Sequence, residues 1–304
     1  MIQIPAMCQM RPLLTDLNQN KMNPPEQLNA IGVMQGRLLP KYMGRYQAHP
    51  VGYWQDEFEI AASLGLNCIE FILDYNDAEK NPLLCSTGLD EILILGEKSG
   101  VKVRTVCADY FMEAPLHHLD SSIAKQSRNI LNKLLDHGKI LGLTDIVIPC
   151  VDQSSMRDSE AMDRFILNIT PSIEKAESQC INLSLETDLD PQSFAKLLNQ
   201  LDSKRITVNY DTGNSAALGF DPVEELATYG SRISDIHIKD RIQGGGSVEL
   251  GNGATRFHQF FHALKPLNYQ GPFIMQAYRD DEGLEVFKRQ FCWICKNYLE
   301  KQWS

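Results

Sequence analysis

Residues 206–240, ITVNYDTGNSAALGFDPVEELATYGSRISDIHIKD, decide the fold. The first five, 206–210, are β-branched and apolar enough for a buried parallel strand, and they run straight into Asp211 and the turn-forming pair Gly213 and Asn214. Ile233–Ile238 reads the same way and puts His237 near its carboxyl end, ahead of Lys239 and Asp240. Between them, Pro222–Tyr229 has a helical pattern with proline in the first turn, where its missing N–H is no loss. The result is a βαβ unit. Its carboxylate and imidazole stand at the carboxyl ends of neighbouring parallel strands, where open α/β sheets and closed barrels both carry their chemistry.

The alternation continues in both directions. Upstream, strands are expected at 31–35, 68–73, 101–107, 146–151 and 181–185, and helices at 54–64, 89–98, 122–141, 161–179 and 194–201. Gly100 and Gly142 are read as helix stops, and Pro171 is expected to kink or divide its helix. Downstream, a helix at 255–264, a strand at 273–276 and a helix at 284–299 complete the series. Eight strands alternating with eight helices over about 270 residues predict an α/β fold of the (β/α)8 TIM barrel type, because closure removes the sheet edges. The expected organisation is a short N-terminal extension, 1–29, followed by a single barrel domain, 30–304. A doubly wound open sheet is the alternative. Against a nucleotide cofactor, MQGRLLP after the first strand lacks the spaced glycines of a dinucleotide site, and no Gly-Lys-Ser/Thr follows Gly244 to Gly246.

The formal net charge of −10 over 304 residues gives no general basic footprint for nucleic acid. Eight cysteines are spread through expected core elements, Cys68, Cys107, Cys150 and Cys180 among them, and read as reduced thiols. Cys292 and Cys295 have redox-motif spacing but lie in the amphipathic C-terminal helix, which favours a structural role. No apolar run approaches the ~20 residues that span a bilayer. The N-terminal stretch also lacks an uninterrupted apolar signal core, so a soluble cytoplasmic protein acting on a small molecule is expected.

In a barrel, Glu186, Asp211, His237 and Gln276 occupy the carboxyl ends of four successive strands and converge on one cavity. Taken singly, His237 reads as a hydrogen-bonded structural residue and Asp211 as a turn former. Four polar groups at equivalent positions in successive repeats point instead to one divalent cation, Mn²⁺, Mg²⁺, Co²⁺ or Zn²⁺, with the Gln276 carbonyl oxygen as fourth ligand or substrate contact.

The segments IGVMQGRL, SLETD, NYDTGNSAALG, DIHIKDR and FIMQAYR, spread over most of residues 31–298, resemble the sugar phosphate isomerase/epimerase group of the xylose isomerase-like TIM barrels. The resemblance implies a carbohydrate or sugar phosphate substrate, and a homodimer or tetramer as the usual state among relatives. It also implies a Glu, Asp, His, Glu metal set in which the two glutamates move protons on opposite sides of the substrate. Glu186, Asp211 and His237 match that set by position, whereas Gln276 stands where the last glutamate is expected. A glutamine amide does not titrate usefully, so the two-glutamate mechanism does not transfer.

The leading expectation is therefore a metal-dependent sugar or sugar-phosphate isomerase/epimerase working through an enediolate, with Glu186 as base. The rival readings are a metal-dependent sugar or inosose dehydratase and a sugar-binding protein without turnover. Lys239 is a candidate proton donor or anion contact, as are Asp240, Asp109 and Glu70 for proton donation and Arg241, Arg279 and the Gly244 to Gly246 loop for a phosphate. Gln35, Arg37 and Asn214 are further substrate-contact candidates. Glu70 reads first as a buried partner of a barrel cation such as Arg37. His117 and His118 are placed in an exposed loop, and His258 and His262 on a helix facing away from the site.

Overall fold

The structure, a computed structural model, describes residues 29–299. Eight strands, β1 (Ile31–Met34), β2 (Cys68–Ile72), β3 (Lys102–Cys107), β4 (Asp145–Cys150), β5 (Asn182–Thr187), β6 (Ile206–Asp211), β7 (Ile233–Ile238) and β8 (Phe273–Met275), form a closed barrel in chain order. All pairings are parallel, including β1 with β8, so the sheet has no free edge. A helix follows each strand, as the αβ alternation requires. Parallel strands are covered on the outside by these helices and filled on the inside by one another, which is why they are apolar almost throughout.

The larger apolar core lies between strands and helices and includes Phe58, Phe71, Phe165, Leu197 and Phe260. A smaller cluster of Met34, Cys68, Ile72, Cys107, Val147 and Ile274 is packed separately. Gly100 and Gly142 cap their helices in the left-handed conformation, at φ 76° and 72°, as their places in the sequence predict.

Three features differ from expectation. Pro171 does not divide its helix, which runs continuously over Ser159–Gln179. The proline is exposed, so the carbonyl it leaves without an N–H partner lies on the flank where water can serve it. Asp211 starts a short helix, Thr212–Leu218, rather than a simple turn, and Tyr110–Glu113 adds a helical turn after β3.

Of the expected extension 1–29, all but Asn29 lies outside the described residues. Asn29 itself is fixed by donating to the Tyr269 and Gly271 carbonyls at 3.0 and 2.7 Å. No helix among the described residues is long and apolar enough to cross a membrane.

Candidate active site

The carboxyl ends of β5 to β8 bring four side chains together. Asp211 and His237 are register partners on β6 and β7, Glu186 is the penultimate residue of β5, and Gln276 follows β8 directly. Glu186, Asp211 and His237 each offer a ligand atom, and those atoms lie within 4.8 Å of one another.

Each group is aimed by a neighbour. His237 and Glu70 are both fully buried, and His237 Nε2 lies 2.7 Å from Glu70 Oε1, which leaves Nδ1 turned toward Glu186 Oε2 at 3.6 Å. Asn209 Nδ2 bridges that pair, donating to Glu186 Oε2 at 2.9 Å and lying 3.1 Å from His237 Nδ1. Asn214 Nδ2 holds the other oxygen of Glu186 at 2.6 Å. Asp211 Oδ1 caps the following helix by accepting from the Gly213 and Asn214 amides at 2.8 Å, so Oδ2 is the oxygen left for the site.

Lys239 completes the arrangement. Its Nζ donates to Asp211 Oδ2, Asn214 Oδ1 and Gln276 Oε1, each at 3.2 Å. A Cβ on Gly213 would come 2.7 Å from Lys239 Cγ, so glycine at that position lets the lysine run over the helix start. Gln276 presents its oxygen because its amide nitrogen is committed: Nε2 donates to Gln47 Oε1 at 3.0 Å. Gln47 Oε1 also accepts from Arg37 at 2.9 Å, and Gln47 Nε2 donates to Asp109 Oδ2 at 2.8 Å.

Electrostatics follow from this packing. Burial raises the Glu186 pKa to about 7, helped by the negative charge of Asp211 and opposed by His237 and Lys239. Burial works against a charged His237 ring, but the Glu70 carboxylate outweighs it and, with Glu186 and Asp211, lifts the histidine to about 9. Burial pushes Asp235 well above the usual carboxylate range, and the neighbouring Glu70 charge adds to the effect.

The donor set fits a divalent ion. Two carboxylates, an imidazole nitrogen and an amide oxygen suit a metal between the hard and borderline classes, and the Glu70 carboxylate behind His237 supplies the outer support that metal-bound histidines commonly have. The same oxygens already attract the Lys239 ammonium, so Lys239 has to leave Asp211 Oδ2 and Gln276 Oε1 for an ion to reach both.

A model of the xylose isomerase-like TIM barrel matches residues 58–296. The chain belongs to this family. Among curated relatives, the putative L-ribulose-5-phosphate 3-epimerase SgbU of Escherichia coli (strain K12) is 25% identical over 242 residues, 75% of this chain and 84% of that one. The L-ribulose-5-phosphate 3-epimerase UlaE of the same strain is 26% identical over 259 residues, 81% of this chain and 91% of that one. Both relatives are named as epimerases of a sugar phosphate. Solved structures agree on the fold. The apo 3-keto-D-glucoside 4-epimerase YcjR of E. coli has a TM-score of 0.68 at 15% identity, covering 88% of this chain and 99% of that one. A xylose isomerase-like TIM barrel protein of Mycobacterium smegmatis, in complex with magnesium, has a TM-score of 0.70 at 17% identity and covers 93% and 100%.

A cavity of about 450 Å³ opens over the barrel mouth, and Asp109, Glu186, Asn214, Lys239, Arg241 and Gln276 are on its wall. Asp211 and His237 are buried off that wall, in contact with Lys239 and Glu186. Five other residues expected at the substrate are also off the wall, each bonded to protein partners, although Gln35 Nε2 and Glu70 Oε2 have none among the described residues. Gln35 Oε1 takes His49 Nδ1 and the Ile72 amide, at 2.9 and 3.0 Å. Arg37 donates to the Ala277 and Tyr46 carbonyls and to Gln47. Arg279 donates to the Gly36 and Leu39 carbonyls at 2.6 and 2.7 Å. Asp240 accepts from the Gly251, Gly253 and Thr255 amides and so shapes the loop after β7. Glu70 serves His237 instead of the barrel arginine expected for it.

Among the histidines outside the site, His117 is buried edge-on against Phe165 rather than exposed. His258 and His262 stack on each other along helix Phe257–Leu264.

Two residues that matter here escape the sequence reading. Asn209 carries a signal, since an asparagine two positions before Asp211 in a buried strand shares its face. Gln47 lies in an irregular connection and carries none.

Proposed function

We propose that the chain is a metal-dependent epimerase or isomerase of a ketose or its phosphate, moving a proton at the carbon beside the carbonyl group through an enediolate. The observation that carries this reading is the convergence of Glu186, Asp211 and His237, each held by hydrogen-bond partners, beneath a sugar-sized cavity. The names of the sequence relatives support the substrate class, a five-carbon ketose phosphate being their reactant.

A divalent ion such as Mn²⁺, Mg²⁺, Co²⁺ or Zn²⁺ on Glu186, Asp211, His237 and the Gln276 oxygen would polarise the substrate carbonyl and the adjacent hydroxyl, which acidifies the C–H between them. Glu186 accepts that proton. Its pKa near 7 suits a group that must be ionised before the transfer and able to release the proton afterwards. Asn209 and Asn214 fix the carboxylate plane throughout. Lys239 and Arg241 meet the oxygen-rich end of the substrate. Arg241 is anchored by Nε to the Gly245 carbonyl at 3.0 Å and by Nη1 to Asn214 Oδ1 at 2.8 Å, in place to receive a phosphate beside the Gly244 to Gly246 turn.

Metal content of the protein purified without chelator, followed by an assay on ketoses and ketose phosphates read by product mass and stereochemistry, tests the proposal. About one divalent ion per chain and a product of unchanged mass are expected, whereas loss of one water would mean dehydration. Glu186→Gln should lower turnover by ~10²–10⁴-fold and leave the folded protein intact. A variant that turns over at the native rate would remove Glu186 from the proton transfer.

A further inference from the structure

Inverting a carbon centre requires the proton to return on the face opposite the one it left, and Gln276 cannot supply it because its amide does not titrate. Among the described residues, five carboxyl groups reach the cavity: Asp74, Asp109, Glu113, Asp152 and Glu186. Asp74 is engaged through both oxygens, one by Arg45 at 2.7 Å and the other by the His49 amide at 2.7 Å. Glu113 and Asp152 are exposed residues of the rim, free to exchange with bulk water. Glu186 is the base.

Asp109 differs from all of these. It follows β3, is half-buried with an open face on the cavity, and has no cation paired with it among the described residues. Its partners are Gln47 Nε2, 2.8 Å from Oδ2, and the Cys107 thiol, 3.2 Å from Oδ1. Gln47 in turn holds Gln276, so Asp109 is tethered on the side that the strand-eight residue reaches. Glu186 is held by Asn209 and Asn214 from β6 and the helix after it.

We propose that Asp109 is the second proton-transferring residue of the reaction, acting on the face of the substrate carbon opposite Glu186; this rests on the epimerase reading above. The Glu186 carboxylate takes the proton, the C–H electron pair becomes the carbon–carbon double bond, and the carbonyl π pair moves onto oxygen. The electrons then return and the carbon takes the Asp109 carboxyl proton from the other side. Asp109 ends as a carboxylate and Glu186 as an acid, and exchange with cavity water resets both. Burial raises the Asp109 pKa from its ordinary value, Gln47 opposes the rise, and the Asp74 and Glu70 charges add to it, the direction that favours a proton donor.

The test separates proton removal from inversion. Native protein and Asp109→Asn are incubated in D₂O with Mn²⁺ and, in separate reactions, D-fructose, D-tagatose, D-allulose and L-ribulose 5-phosphate. Deuterium in the recovered sugar and formation of the epimer are both measured. In Asp109→Asn, epimer formation should fall at least ~100-fold while deuterium exchange stays within a few-fold of native, because Glu186 still removes and returns a proton on its own face. Asp109→Glu, which keeps the acid, should recover part of the inversion. If Asp109→Asn does not fold, Asp109→Ser is read in the same way.

Epimerisation by the Asn variant within a few-fold of native overturns the proposal. So does joint loss of exchange and epimerisation at unchanged thermal stability, which would make Asp109 a positioning residue. Native protein that exchanges and isomerises without ever epimerising also overturns it. Failure of the native protein to exchange deuterium into any of the four sugars overturns the epimerase reading itself.

Discussion

The two ends of the barrel interior carry polar layers of similar composition and opposite character. At the amino end, Asp145 Oδ1 accepts from Asn182, Ser184 and Ser234 at 3.0, 2.8 and 2.5 Å. Ser184, Ser234 and Thr207 also bond to one another at 2.7–2.8 Å. That network closes on itself. At the carboxyl end, Glu186, Asp211, His237 and Gln276 are each held on one side and turned on the other toward a common point. A buried polar cluster is therefore no mark of function by itself; what distinguishes the site is that its ligand atoms converge beneath an open cavity.

Substitutions at both ends can break or sharpen this contrast. The largest effect is expected from Asp211→Ala, which should abolish binding of Mn²⁺, measured by equilibrium dialysis, and with it turnover, while the protein stays folded. Retained stoichiometric Mn²⁺ would mean that the strand-end cluster is not the ion's site. Next, Lys239→Met should tighten Mn²⁺ binding by at least about tenfold, because it removes a like charge that interacts at the scale of a few kcal/mol at ~4 Å near a protein surface. Unchanged or weaker affinity in calorimetry would show that the ammonium does not compete with the ion. The smallest effect belongs to the other end. Asp145→Ala should lower stability by ~1–3 kcal/mol in denaturant titration, since it removes a shared acceptor, and leave metal affinity and turnover at native values. A loss of metal affinity there would join the two layers into one functional unit.

The barrel was legible because buried parallel strands are nearly unbroken apolar runs, and because Gly100 and Gly142 stop helices by a conformation few other residues adopt. Asp211 and His237 were legible for a related reason: a polar group ending an apolar strand stands out. The helix Thr212–Leu218 was not, since an aspartate followed by Thr-Gly-Asn begins a turn and a capped helix with the same hydrogen bonds. The roles of Arg37 and Arg279 were hidden because their guanidinium donors go largely to main-chain carbonyls, which have no sequence signature. The Glu70 partner could not be read either, since the contact to His237 spans 167 positions along the chain.

The arginines that join the loop after β1 to the loop after β8 have a consequence for the order in which the protein is made. Arg37 reaches the Ala277 carbonyl 240 residues ahead, and Arg279 reaches back 243 residues to Gly36. A nascent chain that has emerged only through β7 already contains Glu186, Asp211 and His237, yet it lacks the last strand and, in Ala277 and Arg279, the far partner of each bond of this clasp. The Gln47–Gln276 contact that orients the fourth donor depends on the same late closure. Synthesis therefore supplies the candidate ligand residues well before it supplies the vessel that closes around them, and the finished mouth of the barrel is among the last things the chain can build.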